Sequence, residues 1–150
     1  ALKIRRELAE KSPDAYLPDL AISCNNLAYL LSDAGSSKEA EELYREALKI
    51  RRELAEKNPD AYLPDLAISC NNLAYLLSDI GSFKEAEELY RESLKIRRNL
   101  AEENPKVYLP KLQLVCDNLT ALLEKTGRRE EADSLRREVA EFYQKQLAQQ

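Results

Sequence analysis

Residues 47–92 repeat residues 1–46 at 43 of 46 positions. The three differences are Ser12 against Asn58, Ala34 against Ile80, and Ser37 against Phe83. A third stretch, 93–138, keeps the same frame more loosely. This repetition constrains the fold more than any other property of the chain. Copies of one sequence adopt one local structure, and a short unit cannot bury its apolar face alone. Stacked units solve both problems and give an elongated array. Identity this high between neighbours implies a recent duplication or a designed repeat. Cys24, Cys70 and Cys116 also recur at the 46-residue interval. They are therefore equivalent positions of a repeat, expected as small buried hydrophobes about 10 Å apart, too far for a disulfide or a shared metal.

Each unit reads as two helices. Ala, Leu, Glu, Lys and Arg dominate, with only three glycines and six prolines, so helix is favoured and long loops are not. The first helix is predicted from about Pro18 to Asp33, with proline in the first turn and Gly35 as the stop. Helical periodicity puts Leu20, Cys24, Leu27, Ala28 and Leu31 on one face, which is expected to be buried. The second helix is predicted from about Lys38 to Lys57, with Ala40, Leu43, Tyr44, Ala47, Leu48, Leu54 and Ala55 as its apolar arc. Pairs such as Glu41 with Arg45 and Glu53 with Lys57 mark its solvated side. Arg5, Arg51 and Arg97 fall inside the apolar arc. Their stems are expected to pack while their heads reach water or a linker carboxylate such as Asp60. A basic ladder for an acidic partner is the alternative. Between units, "NPDAYLP" at 58–64 fits either a turn or one bent helix through Pro64.

The stretch "LAYLLSDAGSSKEAEELYREA" at 27–47 resembles a tetratricopeptide repeat. Leu27, Ala28 and Leu31 match the family's first-helix pattern; Ala40, Tyr44 and Ala47 match the small, aromatic and small positions of its second. The next copy matches at Leu73, Ala74, Leu77, Ala86, Tyr90 and Ser93. In the third, Leu119, Leu123, Gly127 and Ala132 match, while Arg136 replaces the aromatic and Val139 the last small residue. That departure suits a terminal repeat whose outer side meets solvent. The long period and the string "NNLA" look most like the kinesin light chain subtype. The resemblance implies an all-α fold, a right-handed α-solenoid of antiparallel helix pairs. Residues 1–150 then form one array. Residues 1–11 are the end of a preceding second helix; 18–57, 64–103 and 110–148 are three repeats, the last cap-like. The opening "ALKIRRELAEK" without methionine suggests a piece of a longer protein or an engineered chain.

A candidate site follows from the other side of the first helix. Ile22, Asn26, Tyr29 and Asp33 project opposite the buried face, with Asn25 beside them. The second copy repeats this as Ile68, Asn71, Asn72, Tyr75 and Asp79, and the third offers Leu114 and Asn118, with Ala121 and Lys125 in line. The resemblance implies that this stripe lines the concave side of the superhelix. Asparagine is a poor helix former, so its recurrence needs a reason. Its amide donates and accepts simultaneously, which suits the backbone of an extended peptide. The contrasting reading is that the asparagines bond to neighbouring repeats. The family's clamp for chaperone C-terminal carboxylates uses Lys and Arg in the groove. Here Ile22, Asn25, Tyr29, Leu114 and Asn118 stand instead.

The remaining classes are set aside on composition. A net charge of −4 spread along the chain and a neutral groove argue against nucleic acid. The basic patch of Arg128, Arg129, Arg136 and Arg137 is small and interleaved with Glu. There is no apolar run of membrane-spanning length and no visible signal peptide. With no histidine and no glycine-rich phosphate loop, neither an enzyme nor a cofactor is expected. Reduced thiols suit a cytoplasmic protein. The expected function is a protein–protein interaction scaffold that holds an extended segment of a partner. The alternative is a self-stacking or designed module, in which Ala1–Lys11 of one copy covers the last repeat of another in head-to-tail oligomers.

Overall fold

The computed structural model describes residues 2–149; Ala1 and Gln150, the expected ends of the array, lie outside the described residues. Among these, seven helices follow one another: α1 (Leu2–Lys11), α2 (Pro13–Asp33), α3 (Ser37–Lys57), α4 (Pro59–Asp79), α5 (Phe83–Glu103), α6 (Pro105–Lys125) and α7 (Arg129–Ala148). Each packs mainly on the helix before it and the helix after it, which makes the fold an all-α solenoid.

Two kinds of joint alternate along the chain. Inside a repeat, the first helix ends at a glycine in the left-handed region: Gly35 and Gly81 at φ 89°, Gly127 at φ 79°. Around Gly35, the Ser36 N–H donates to the Leu31 carbonyl at 2.7 Å and the Gly35 N–H to the Ser32 carbonyl at 3.1 Å. The same two bonds recur around Gly81 and Gly127. This Schellman closure caps the last carbonyls and turns the chain back; a side chain at that φ would be strained. Between repeats there is no loop at all. A single extended residue, Ser12, Asn58 or Asn104, joins one helix to the next, and Pro13, Pro59 or Pro105 opens the new one.

The first helices therefore begin five residues before the prolines where the sequence reading starts them. Pro18, Pro64 and Pro110 lie inside helices. The segment is continuous helix, and the reason is tertiary. A proline at this depth deprives only a carbonyl of the opening turn, near the helix end. Tyr16 and Leu17, Tyr62 and Leu63, and Tyr108 all pack against the core, and Leu109 is buried within it. That packing holds the residue before each proline helical against its local preference.

Alanines at the crossings, among them Ala21, Ala28, Ala40 and Ala47, are fully buried and let the helices approach closely. Cys24, Cys70 and Cys116 are free and fully buried. Burial pushes the Cys24 and Cys70 thiols up to about 12 and Cys116 up to about 11, so they act as small protonated hydrophobes. Two expectations are corrected. The heads of Arg51 and Arg97 reach neither water nor a linker carboxylate. Arg51 Nη1 donates to Ser69 Oγ at 2.9 Å and to the Asp65 carbonyl at 3.4 Å; Arg97 Nη1 donates to the Lys111 carbonyl at 3.0 Å. Each ties a second helix to the first helix of the next repeat, while Arg5 is exposed. Leu27, expected in the core, is exposed, and Leu31 is only half-buried. Among the described residues only the short α1 stands before α2, so this flank lacks the repeat that covers Leu73 and Leu77.

Ion pairs stitch the second helices together. Arg6 meets Glu46 at 2.6 Å, Arg52 meets Glu92 at 2.6 Å, and Arg98 meets Glu138 at 2.8 Å. Each contributes less than about 1 kcal/mol at the surface, but the constant spacing favours one register.

Candidate peptide-binding groove

Three first helices, α2, α4 and α6, present corresponding stripes side by side. A cavity of about 540 Å³ opens across them. It brings together Tyr29 and Asp33 from α2, Asn71, Asn72, Tyr75 and Asp79 from α4, and Leu114 and Asn118 from α6. An adjoining hollow of about 410 Å³ is lined by Asn25, Asn26, Tyr29, Leu30 and Asn72. Ile22 and Ile68 line neither; Ile22 is exposed and Ile68 half-buried farther along the stripe. Ser32, Tyr44 and Leu76 also line the larger cavity, although the sequence reading did not select them.

The asparagines are not independent. Asn72 Nδ2 donates to Asn25 Oδ1 at 3.2 Å, and Asn118 Nδ2 donates to Asn71 Oδ1 at 3.1 Å. The second asparagine of each doublet thus reaches back to the first asparagine of the previous repeat. The doublet and its 46-residue recurrence carry this signal, because only neighbouring positions can form a ladder across repeats. The ladder consumes one N–H of Asn72 and of Asn118, and leaves each side-chain carbonyl without a partner among the described residues. Among the described residues, Asn26 makes no corresponding bond. At the third doublet Asp117 replaces asparagine and accepts from Gln113 Nε2 at 2.9 Å.

The aromatic residues stand open. Tyr29 is 65% exposed and Tyr75 57% exposed on the cavity wall. Behind them, Tyr44 and Tyr90 are buried. Burial raises both phenols above their usual range, and the neighbouring Tyr29, for Tyr44, and Tyr75 with Asp79, for Tyr90, add to the shift. These tyrosines therefore form two couples, one buried and one exposed ring in each of the first two repeats. Asp33 and Asp79 enter no ion pair among the described residues. No group of three or more His, Cys, Asp or Glu among those residues is placed to hold a metal ion.

A larger hollow lies elsewhere. It measures about 780 Å³ and is walled by Pro59, Leu63, Ile96, Leu100 and Tyr108, where the end of α5 meets the starts of α4 and α6. The corresponding Ile50 and Leu54 are buried. Nothing in the sequence pattern marks this difference.

Helix pairs with small residues at the crossings and a first-helix groove agree with the comparison to known families. The tetratricopeptide repeat model matches residues 20–60 and 66–105, more than half of the chain. This chain belongs to the tetratricopeptide repeat family. Among solved structures, the tetratricopeptide array is similar to the crystal structure of BtubC (BKLC) from P. vanneervenii, a kinesin light chain-like protein, at 29% identity and a TM-score of 0.66. The match covers 96% of this array and 53% of BtubC, so the chain spans about half the length of that neighbour. No curated protein sequence matches it. Tetratricopeptide repeats build scaffolds for protein interaction, and that coarse role is this chain's. No helix among the described residues is long and apolar enough to cross a membrane.

Proposed function

We propose that the groove across α2, α4 and α6 holds an extended peptide segment of a partner protein. The observation that carries this reading is the cavity shared by α2, α4 and α6, which Asn72 and Asn118 line with capacity left over from the inter-repeat bonds that the contrasting reading expects. Interhelical bonds orient Asn72 and Asn118 at the cavity while leaving acceptor and donor capacity unused. An extended backbone needs such paired capacity at repeated intervals. Tyr29, Tyr75 and Leu114 add exposed contact area beside it. In this reading the chain is a cytoplasmic scaffold that works without a cofactor, binds neither nucleic acid nor membrane, and performs no catalysis.

The test is selection from a random peptide display library, comparing the parent with an Asn26→Ala, Asn72→Ala, Asn118→Ala variant whose folding is checked by circular dichroism. Because two of these residues also bridge repeats, a Tyr29→Ala, Tyr75→Ala variant serves alongside it. Peptides that bind the parent and lose on the order of tenfold affinity for both variants are the expected result. Failure to enrich any peptide, or equal capture by all three proteins, would sink the reading.

A second reading has its own support. Ile4, Ile22, Leu27 and Leu30 are exposed on the α1–α2 end, and among the described residues Asn26 makes no inter-repeat bond like those of Asn72 and Asn118. Head-to-tail association would cover this face. Mass rising with concentration in sedimentation equilibrium, and falling in a Leu27→Glu, Leu30→Glu variant, is its signature; a monomer at all concentrations rules it out.

A further inference from the structure

The groove is not uniform along its length. Its first two repeats carry Tyr29 with Asp33 and Tyr75 with Asp79, and all four line one cavity. Both aspartates occupy the last residue of their helix, α2 or α4. A helix C-terminus already carries partial negative charge from its carbonyls, so a carboxylate there is disfavoured and a cation preferred. Neither α2 nor α4 has a basic residue in its last turn. Neither aspartate is neutralised by an ion pair among the described residues. Negative charge is thus concentrated beside two solvent-facing aromatic rings; Lys125 shares a small hollow with Tyr75 and Asp79 but makes no ion pair with Asp79, and no cation lines the cavity that holds all four.

The third repeat resolves the same position internally. Lys125 ends α6 where Asp33 and Asp79 end α2 and α4. Its ammonium lies over the Phe83 ring, 5.3 Å from the centroid. Phe83 replaces the Ser37 of the first repeat, so the cation and its aromatic platform occur together. Where the array supplies its own cation, the aspartate is gone.

Resting on the peptide-groove reading, we infer that the bound segment places an arginine or lysine side chain between Tyr29 and Tyr75, facing Asp33 and Asp79. Tyr29 and Tyr75 line one cavity of about 540 Å³ together with both aspartates, which leaves room for a flat guanidinium or an ammonium. Such a group is attracted by ring faces and by carboxylates together, and it restores the charge that the two helix ends lack. Guanidinium fits better than ammonium, because it is planar and more weakly hydrated. Lys125, which lines a hollow with Tyr75 and Asp79 on the α6 side, disfavours a second basic side chain there and suits a neutral or acidic one, so the cation is expected nearer Asp33 and Tyr29.

The test uses peptides enriched on the full chain and measures their affinity by fluorescence anisotropy. Each is compared with versions in which its basic residue becomes citrulline or glutamate, against the parent and an Asp33→Asn, Asp79→Asn variant. Expected is enrichment of peptides with Arg or Lys, a loss on the order of tenfold on citrulline substitution, and the same loss for the variant. The variant should bind the citrulline peptide as the parent does, since the two changes remove one interaction. Peptides that bind through Asn72, Asn118 and Tyr75 but show no basic preference, or prefer acidic residues, overturn the cation site and leave the groove standing. If no peptide binds, both the groove and this inference fall.

Discussion

Leu27 and Leu73 hold the same place in two copies of one sequence, yet Leu27 is 37% exposed and Leu73 fully buried. Leu30 and Leu76 differ more, at 63% against 2%. Arg5 is exposed, whereas Arg51 is buried and bonded to the next repeat. None of this can come from local sequence, because the flanking residues are identical. It comes from position in the stack. The second repeat has neighbours on both sides, and the first has only α1 before it among the described residues. In a solenoid, the stabilisation that a residue provides belongs largely to the interface it helps to form, not to its own repeat.

The sharpest way to break this comparison is to truncate the same leucine in both repeats. Leu73→Ala removes a fully packed side chain and should cost about 2–5 kcal/mol; Leu27→Ala should cost less than about 1.5 kcal/mol. Urea denaturation of the two single variants reads the difference directly. Equal losses would mean that burial in the stack does not set stability. The arginines come next. Arg97→Ala removes a buried bond to the Lys111 carbonyl and should cost about 1–3 kcal/mol, whereas Arg5→Ala should lie within about 0.5 kcal/mol of the parent. Thermal melts of both variants test this.

Asparagine provides a finer comparison. Asn72→Ala breaks the bond to Asn25 and should destabilise by about 1 kcal/mol, while Asn26→Ala has no such bond to lose. A difference near zero would show that the ladder orients the amides without stabilising the stack. The smallest effect is electrostatic. Glu85, beside Arg45, and Glu87, beside Arg128, have carboxyls held below the ordinary value of 4.5, chiefly by side-chain hydrogen bonds from those arginines. In the folded chain they release protons more readily than in the unfolded one. Their stabilisation is therefore complete above about pH 4.5 and is lost as pH falls through the folded values. Melting temperature should decline modestly between about pH 5 and pH 3. The decline should shrink in Glu85→Gln, which removes the carboxylate that meets Arg45 across repeats. Added salt should blunt it, because these groups lie largely in water.

The sequence alone determined the repeat length, the all-α class, the helix pair, the glycine stops and the stripe that lines the groove. These rest on periodicity and on backbone chemistry, which act over a few residues and read the same in every copy. Eight of the twelve stripe residues share one cavity for that reason. What the tertiary structure decided is whatever depends on a neighbour. Pro18, Pro64 and Pro110 remain helical because Tyr62, Leu63 and their counterparts are packed, against the local preference of the chain. Arg51 and Arg97 turn to partners on the following helix. The asparagine doublets bond to each other across 47 residues, where the helix of one repeat meets that of the next. Identical letters also differ in exposure because burial is a property of contacts between units. A one-dimensional pattern specifies the face that seeks cover, and only the assembled stack decides which copies receive it.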